Sequence, residues 1–394
     1  MTGSGAPVAL LAMSVAVLEV PFRVVFGSGV TEDDAARIMT SWESCRIEPT
    51  EGSREVVVEV GERQPTPVSQ GTRITSSSVQ QLEETLTSTL TVEAIGVRRS
   101  ELLMLHACGI ADDDGRVLAF VAASGTGKTT ISRALGTRFG YVTDETVAVL
   151  PDGRVLPYPK PLSVKPLTGT APKAQLAPAS LSLRPLPEAP LVLAGVILLE
   201  RREGVETPRF EPVDPIAAVE DLVPQTSYLS ARPRPITDLV ERLIALGGVR
   251  RLVYSEAKAV LDLVEKAFAA PQEAAPALWE AVEPLPTGAR ADVPDGLIVR
   301  SPTDDALLMP GGEILLFLEN RLVRLSGIGP SIWRLSGEGI ARAELTQALL
   351  AEVGAPPAGV DADAVVGDAL DELDELGVLS RITSTTPAPK GWHA

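Results

Sequence analysis

The stretch Ala122–Thr130 sets Gly125 and Gly127 around one threonine and follows them at once with Lys128, Thr129 and Thr130. Those residue types in that order suit one task, holding a chain of phosphates. The glycines let the backbone curl so that successive N–H groups, those of Ser124, Gly125, Thr126 and Gly127, converge on phosphate oxygens. Lys128 would reach the β- and γ-phosphates, and the Thr129 hydroxyl would ligate Mg²⁺, with Thr130 beside it. The apolar runs Val117–Val121 and Ile131–Leu135 predict a buried strand before the loop and a helix after it. The positive N-terminal end of that helix would face the same anion. One position departs from the usual pattern. Ala122 stands where such a loop opens with glycine, which is harmless in extended backbone and obstructive if φ must be positive. An ordinary glycine-rich strand-to-helix turn, or a decayed nucleotide site, is the alternative.

Phosphoryl transfer also needs a carboxylate near the metal and, for a hydroxyl acceptor, a base. Asp144 lies sixteen residues after Lys128, at a turn feeding the next strand, with Glu145 adjacent. Either could serve; a solvated loop pair or a cap is the competing reading. Lys160, Lys165 and Arg154 fall on later loops and read as solvated surface charge, with contact to phosphate or peptide as the alternative.

These residues sit in a chain of 394, long enough for two or three domains, with a formal net charge of −17. Such acidity repels nucleic-acid phosphates and anionic lipid, so neither is an expected partner. With only Cys45 and Cys108 there is no disulfide framework, and a reducing cytoplasm fits. His106 and His393 are the only histidines, which argues against a histidine metal site. The apolar run Val8–Leu18 is too short to span a bilayer and lacks a signal peptide's charged start; Met13 is an alternative initiator.

The elements that must position the loop follow from periodicity. Strands are predicted at 14–26 and 54–60 with a helix at 32–42, a polar turn region at 64–75, and a helix over 77–97. An apolar strand at 102–110 carries His106, and the loop segment occupies 117–138. Short strands flank Pro151–Arg154, the Pro- and Ala-rich stretch 166–190 reads as a mobile loop, and strands at 191–199 and 249–254 alternate with helices to about residue 269. Alternation of that kind predicts an α/β fold with a mixed sheet. Residues 1–99 form an N-terminal α/β region, 100–269 a nucleotide-binding domain, 270–296 a linker, 297–381 a smaller α+β domain and 382–394 a frayed tail.

Leu105–Ala107, Ala122–Thr130, Tyr141–Ala148 and Leu156–Pro161 together resemble the HPr kinase/phosphorylase family, whose fold is similar to that of phosphoenolpyruvate carboxykinase. The resemblance covers about residues 100–268 and implies ATP and Mg²⁺ as cofactors. It implies Asp144 as base toward a serine hydroxyl, His106 nearby, Lys128 and Thr129 on phosphate and metal, and Glu145 as a second metal-side carboxylate. In that family the last position is usually Asp, so the extra methylene of Glu145 displaces its charge.

Residues 313–379 carry a second resemblance. Ile314–Leu325, the helix around Trp333, and the apolar positions Val365, Val366, Leu370, Leu373 and Leu376 are similar to PqqD. That winged-helix element recognises leader peptides in pathways of ribosomally made, post-translationally modified peptides (RiPPs). It implies that a leader adds as a strand against Leu322 and Arg324 and lies on the last helix near Leu370 and Leu373. Trp333 reads as core, and the carboxylates between Asp368 and Glu375 as solvated, with holding a basic leader as the alternative. Together the two resemblances imply a cytoplasmic protein that captures a RiPP precursor peptide and phosphorylates a Ser or Thr of it. The rival is a recognition adaptor that delivers the precursor to separate modification enzymes.

Overall fold

The computed structural model describes residues 11–61, 71–123, 125–165, 172–269, 279–281, 296–357 and 359–381. Ser124, part of the stretch 166–190, most of the expected linker and the expected tail lie outside them. The chain is mixed α/β and divides into two compact units, residues 1–232 with 242–275, and residues 233–241 with 276–394.

The first unit opens with a four-stranded sheet of β1 (Ala12–Val17), β2 (Val20–Phe26), β3 (Arg54–Val60) and β4 (Thr72–Ser76) in that order. The expected strand at 14–26 is a hairpin, because Leu18 and Glu19 both take positive φ (51° and 62°) and reverse the chain in two residues. Nothing in their side chains announces that turn. The expected polar turn at 64–75 ends in β4, which extends the sheet by parallel pairing with β3. Helices α1 (Glu32–Ser41) and α2 (Val79–Val97) complete this part. Leu82, Leu86, Leu90 and Ala94 recur at helical spacing on α2 and are fully buried.

The sheet that positions the candidate site has six strands. β5 (Leu103–Leu105) leads to β6 (Ala107–Ala111) and β7 (Arg116–Val121), then α3 (Lys128–Gly136) and β8 (Gly140–Thr143). β9 (Val147–Val149), β10 (Val155–Leu156), β11 (Leu162–Val164) and β12 (Ala174–Leu176) are short; β13 (Val192–Arg201) is long. β14 (Arg209–Pro212), α4 (Pro215–Leu222), β15 (Thr226–Ser227), α5 (Pro235–Ala245), β16 (Val249–Tyr254) and α6 (Leu261–Ala269) follow. The strand order is β14-β16-β13-β7-β6-β8, with β13 parallel to both β7 and β16 and the remaining pairs antiparallel. β7 is therefore central and buried on both faces, which is why Val117–Val121 is a continuous apolar run. Met104, Ala148, Leu156 and Tyr158 pack into the same apolar cluster as Val15, Phe22, Trp42 and Leu86, so residues before 99 and after it share one core.

The second unit has a four-stranded sheet of β17 (Glu280–Ala281), β19 (Asp305–Leu308), β20 (Ile314–Leu318) and β21 (Arg321–Leu325) in that order. A three-stranded sheet places β18 (Leu297–Arg300) between β22 (Ile340–Ala341) and β23 (Leu379–Arg381). Helices α7 (Gly329–Leu335), α8 (Arg342–Val353) and α9 (Ala362–Glu375) cover a core containing Leu316, Trp333, Leu349 and Leu370. Trp333 is fully buried, and the Arg300 guanidinium lies 4.2 Å from its ring centroid.

Candidate phosphate-binding site

The loop between β7 and α3 owes its shape to its two glycines. Gly125 has φ 85° and Gly127, the N-cap of α3, has φ 102°. A Cβ at Gly125 would meet nothing within 4 Å, so the demand there is conformational and not one of space. Ala122 is absent from the positive-φ positions and is buried, so alanine fits the place where glycine is usual. The Thr126 hydroxyl turns back to the Ala123 carbonyl at 2.6 Å, whereas Thr129 and Thr130 line the cleft. Lys128 folds over the loop and donates to the carbonyls of Ala122 and Ala123. Burial holds its ammonium below the ordinary lysine pKa, an effect that neighbouring negative groups oppose.

β8 delivers the carboxylates. After Thr143 the chain turns, and the Thr143 hydroxyl accepts from the backbone N–H groups of Glu145 (3.2 Å) and Thr146 (3.4 Å), which fixes the turn. Asp144 is buried. The Thr129 hydroxyl donates to its Oδ2 at 3.4 Å, while its Oδ1 accepts from the Tyr141 hydroxyl at 3.1 Å and from Lys160 Nζ at 2.8 Å. Lys160 also meets Glu145 Oε2 at 3.1 Å.

Lys160 overturns the reading of it as solvated charge, since only 1% of its side chain is exposed. Burial alone would push its pKa down. The two carboxylates outweigh burial, and the ammonium stays charged with its pKa above the ordinary value. The segment that carries it is braced from behind, where the buried Tyr158 and Thr91 hydroxyls share a hydrogen bond of 2.6 Å. Arg154 is exposed and pairs with Asp152, while Lys165 is exposed on the rim of the cleft.

His106 stands between β5 and β6, its backbone N–H donating to Gln225 O at 2.7 Å. Burial first, and the positive charge of Lys128 second, hold its imidazole below the ordinary value; Glu145 and Asp144 act the other way. His106, Lys128, Thr129, Asp144, Glu145 and Lys160 all line one cleft of about 540 Å³. Arg133, Lys165 and Lys173 join them, giving five basic side chains against two acidic ones in a chain whose net charge is −17. That local reversal of sign favours a polyanionic ligand. Among the described residues no cluster of three or more His, Cys, Asp or Glu side chains could hold a metal by itself.

Sequence reasoning gives Tyr141 no role and takes Lys160 first for surface charge. The second had a visible signal, a lysine enclosed by Pro159 and Pro161 in an otherwise apolar stretch.

In the second unit, Leu322 and Arg324 lie on β21, the terminal strand of its sheet. Leu322 is partly exposed, and Arg324 pairs with Glu313 at 2.6 Å. Leu370 and Leu373 are 1% and 5% exposed and belong to the core. They anchor α9 inward, and its exposed face carries others, Val365 at 39% exposure among them. No helix among the described residues is long and apolar enough to cross a membrane. No model of a known protein family matches the chain, and no curated protein is significantly similar to it.

Proposed function

We propose that the first unit is an HPr-kinase-like P-loop core that binds ATP with Mg²⁺ and transfers a phosphoryl group to a Ser or Thr hydroxyl. We further propose that the acceptor is a RiPP precursor peptide whose leader is held by a PqqD-like second unit in the cytoplasm. One observation carries the catalytic part. The glycine loop, Lys128, the Thr129 hydroxyl and Asp144 converge in a single basic cleft, with Thr129 Oγ1 3.4 Å from Asp144 Oδ2.

The residues divide the work. Backbone N–H groups of Gly125–Gly127 and the first turn of α3 offer donors to phosphate oxygens. Lys128 exchanges the Ala122 and Ala123 carbonyls for phosphate oxygens and stabilises charge that develops on the transferred group. Thr129, with Glu145, would hold Mg²⁺ together with phosphate oxygens; the ion would supply charge neutralisation. Asp144 Oδ1 is saturated by Lys160 and Tyr141, which leaves Oδ2 as the oxygen to take the acceptor proton. His106, neutral and adjacent, orients the acceptor hydroxyl. A leader strand on β21 would raise the effective concentration of that hydroxyl by tethering.

Full-length protein, ATP, Mg²⁺ and a precursor encoded beside its gene should yield a peptide heavier by one phosphate. An unchanged mass with ATP bound would reject transfer. The adaptor reading draws support from the double engagement of Asp144 Oδ1, which leaves Oδ2 alone to meet an acceptor. Lys128→Ala separates the two, since precursor modification that continues undiminished in that variant favours the adaptor.

A further inference from the structure

Lys160 lines the cleft, yet it has no donor left for a ligand. An ammonium has three N–H bonds. Here they meet Asp144 Oδ1 at 2.8 Å, Glu145 Oε2 at 3.1 Å and the Pro161 carbonyl at 3.1 Å. It therefore cannot act on phosphate as Lys128 does. What it does occupy is the space between two carboxylates on successive residues. Two such carboxylates side by side make the acidic half of a two-metal site, in which paired divalent ions clamp the attacking and leaving oxygens. A buried ammonium bridging the pair satisfies the same negative charge with a covalently attached cation.

We infer that Lys160 is a positioning residue that serves as the built-in second cation of the site, so that one divalent ion, on the Thr129 side, is all it admits. The inference deepens the nucleotide reading above. It explains why Asp144 keeps one oxygen turned toward Thr129: the other is fixed by Lys160 and Tyr141. Glu145 then acts through Lys160, balancing its charge and holding it in place.

The test uses the full chain and Mn²⁺ counted by electron paramagnetic resonance, first with the metal alone. Lys160→Met, close in length and without charge, should bind Mn²⁺ at the exposed carboxylate pair on the order of tenfold more tightly than the unaltered protein. Adding Glu145→Gln to that variant should abolish the gain. A purely structural role for Lys160 would not move the metal count. Equal Mn²⁺ affinity with and without Lys160 overturns the inference. Lys160→Gln, which keeps a donor for the Pro161 carbonyl, repeats the comparison if the methionine variant fails to fold. In a second arm the unaltered protein with a non-hydrolysable ATP analogue should hold one Mn²⁺; two ions overturn the inference. Failure to bind the analogue at all would instead sink the nucleotide reading, and the metal-alone arm would still decide the role of Lys160.

Discussion

The two units differ in the charge they gather inside: the first clusters it at one cleft, whereas the second buries Asp305 against Thr237. In the first, Lys128, Asp144 and Lys160 are buried and bound to one another or to backbone carbonyls, with Tyr141 closing the set. In the second, the interior is apolar around Trp333, Leu316 and Leu370, and the charged residues Arg324, Asp368 and Glu372 are exposed. Buried, mutually satisfied ions are fixed before a ligand arrives, as charge-transfer chemistry requires. An apolar core with a terminal strand offers a shape and a backbone edge, which suits capture of an extended chain. The first arrangement fits the proposed transfer chemistry, the second the proposed capture of a peptide.

A crossed pair of substitutions tests that division most severely. Leu373→Asp puts a carboxylate into the core of the second unit and should cost about 4 kcal/mol or more of its stability. Circular dichroism should report the loss, with nucleotide binding retained. Lys128→Ala should do the reverse, weakening ATP affinity about 100-fold in calorimetry with the melt unchanged. If either variant abolished both properties, the two units would not be separable in this way.

A finer test is Tyr158→Phe. It removes only the hydroxyl that meets Thr91 and should lower stability by about 1 kcal/mol in a denaturant titration. Transfer should suffer more than binding, because the brace lies behind Lys160.

The mildest effect concerns acid. The folded-state pKa of His106 lies below 6.5, so the stability tied to its neutral form is complete above 6.5 and lost as pH falls through the lower folded value. His106→Gln should flatten that part of a Tm-against-pH curve and leave the neutral and alkaline parts alone.

The shape of the glycine loop was legible because its parts are contiguous: Gly125, Gly127, Lys128 and Thr129 declare their geometry by type and spacing. Asp144 was legible by its place at a strand end. Lys160 was not, because its meaning depends on burial and on partners fifteen and sixteen residues upstream, while a lysine between prolines usually reads as a loop charge. The same limit hid the hairpin at Leu18–Glu19, where ordinary residues take φ values that glycine or asparagine would have signalled. At Glu319–Asn320 the same reversal does carry an asparagine. β14, four residues with alternating charge, lacked the apolar contrast that marks a strand.

The apolar cluster that joins Phe22 and Trp42 to Met104, Leu156 and Tyr158 carries a lesson for anyone cutting the gene. Expressing the loop-bearing segment from residue 100 onward would strip one wall from that cluster and bare its hydrophobic lining to water. Such a fragment should precipitate or misfold. The described residues before 99 and the cleft therefore have to be engineered together.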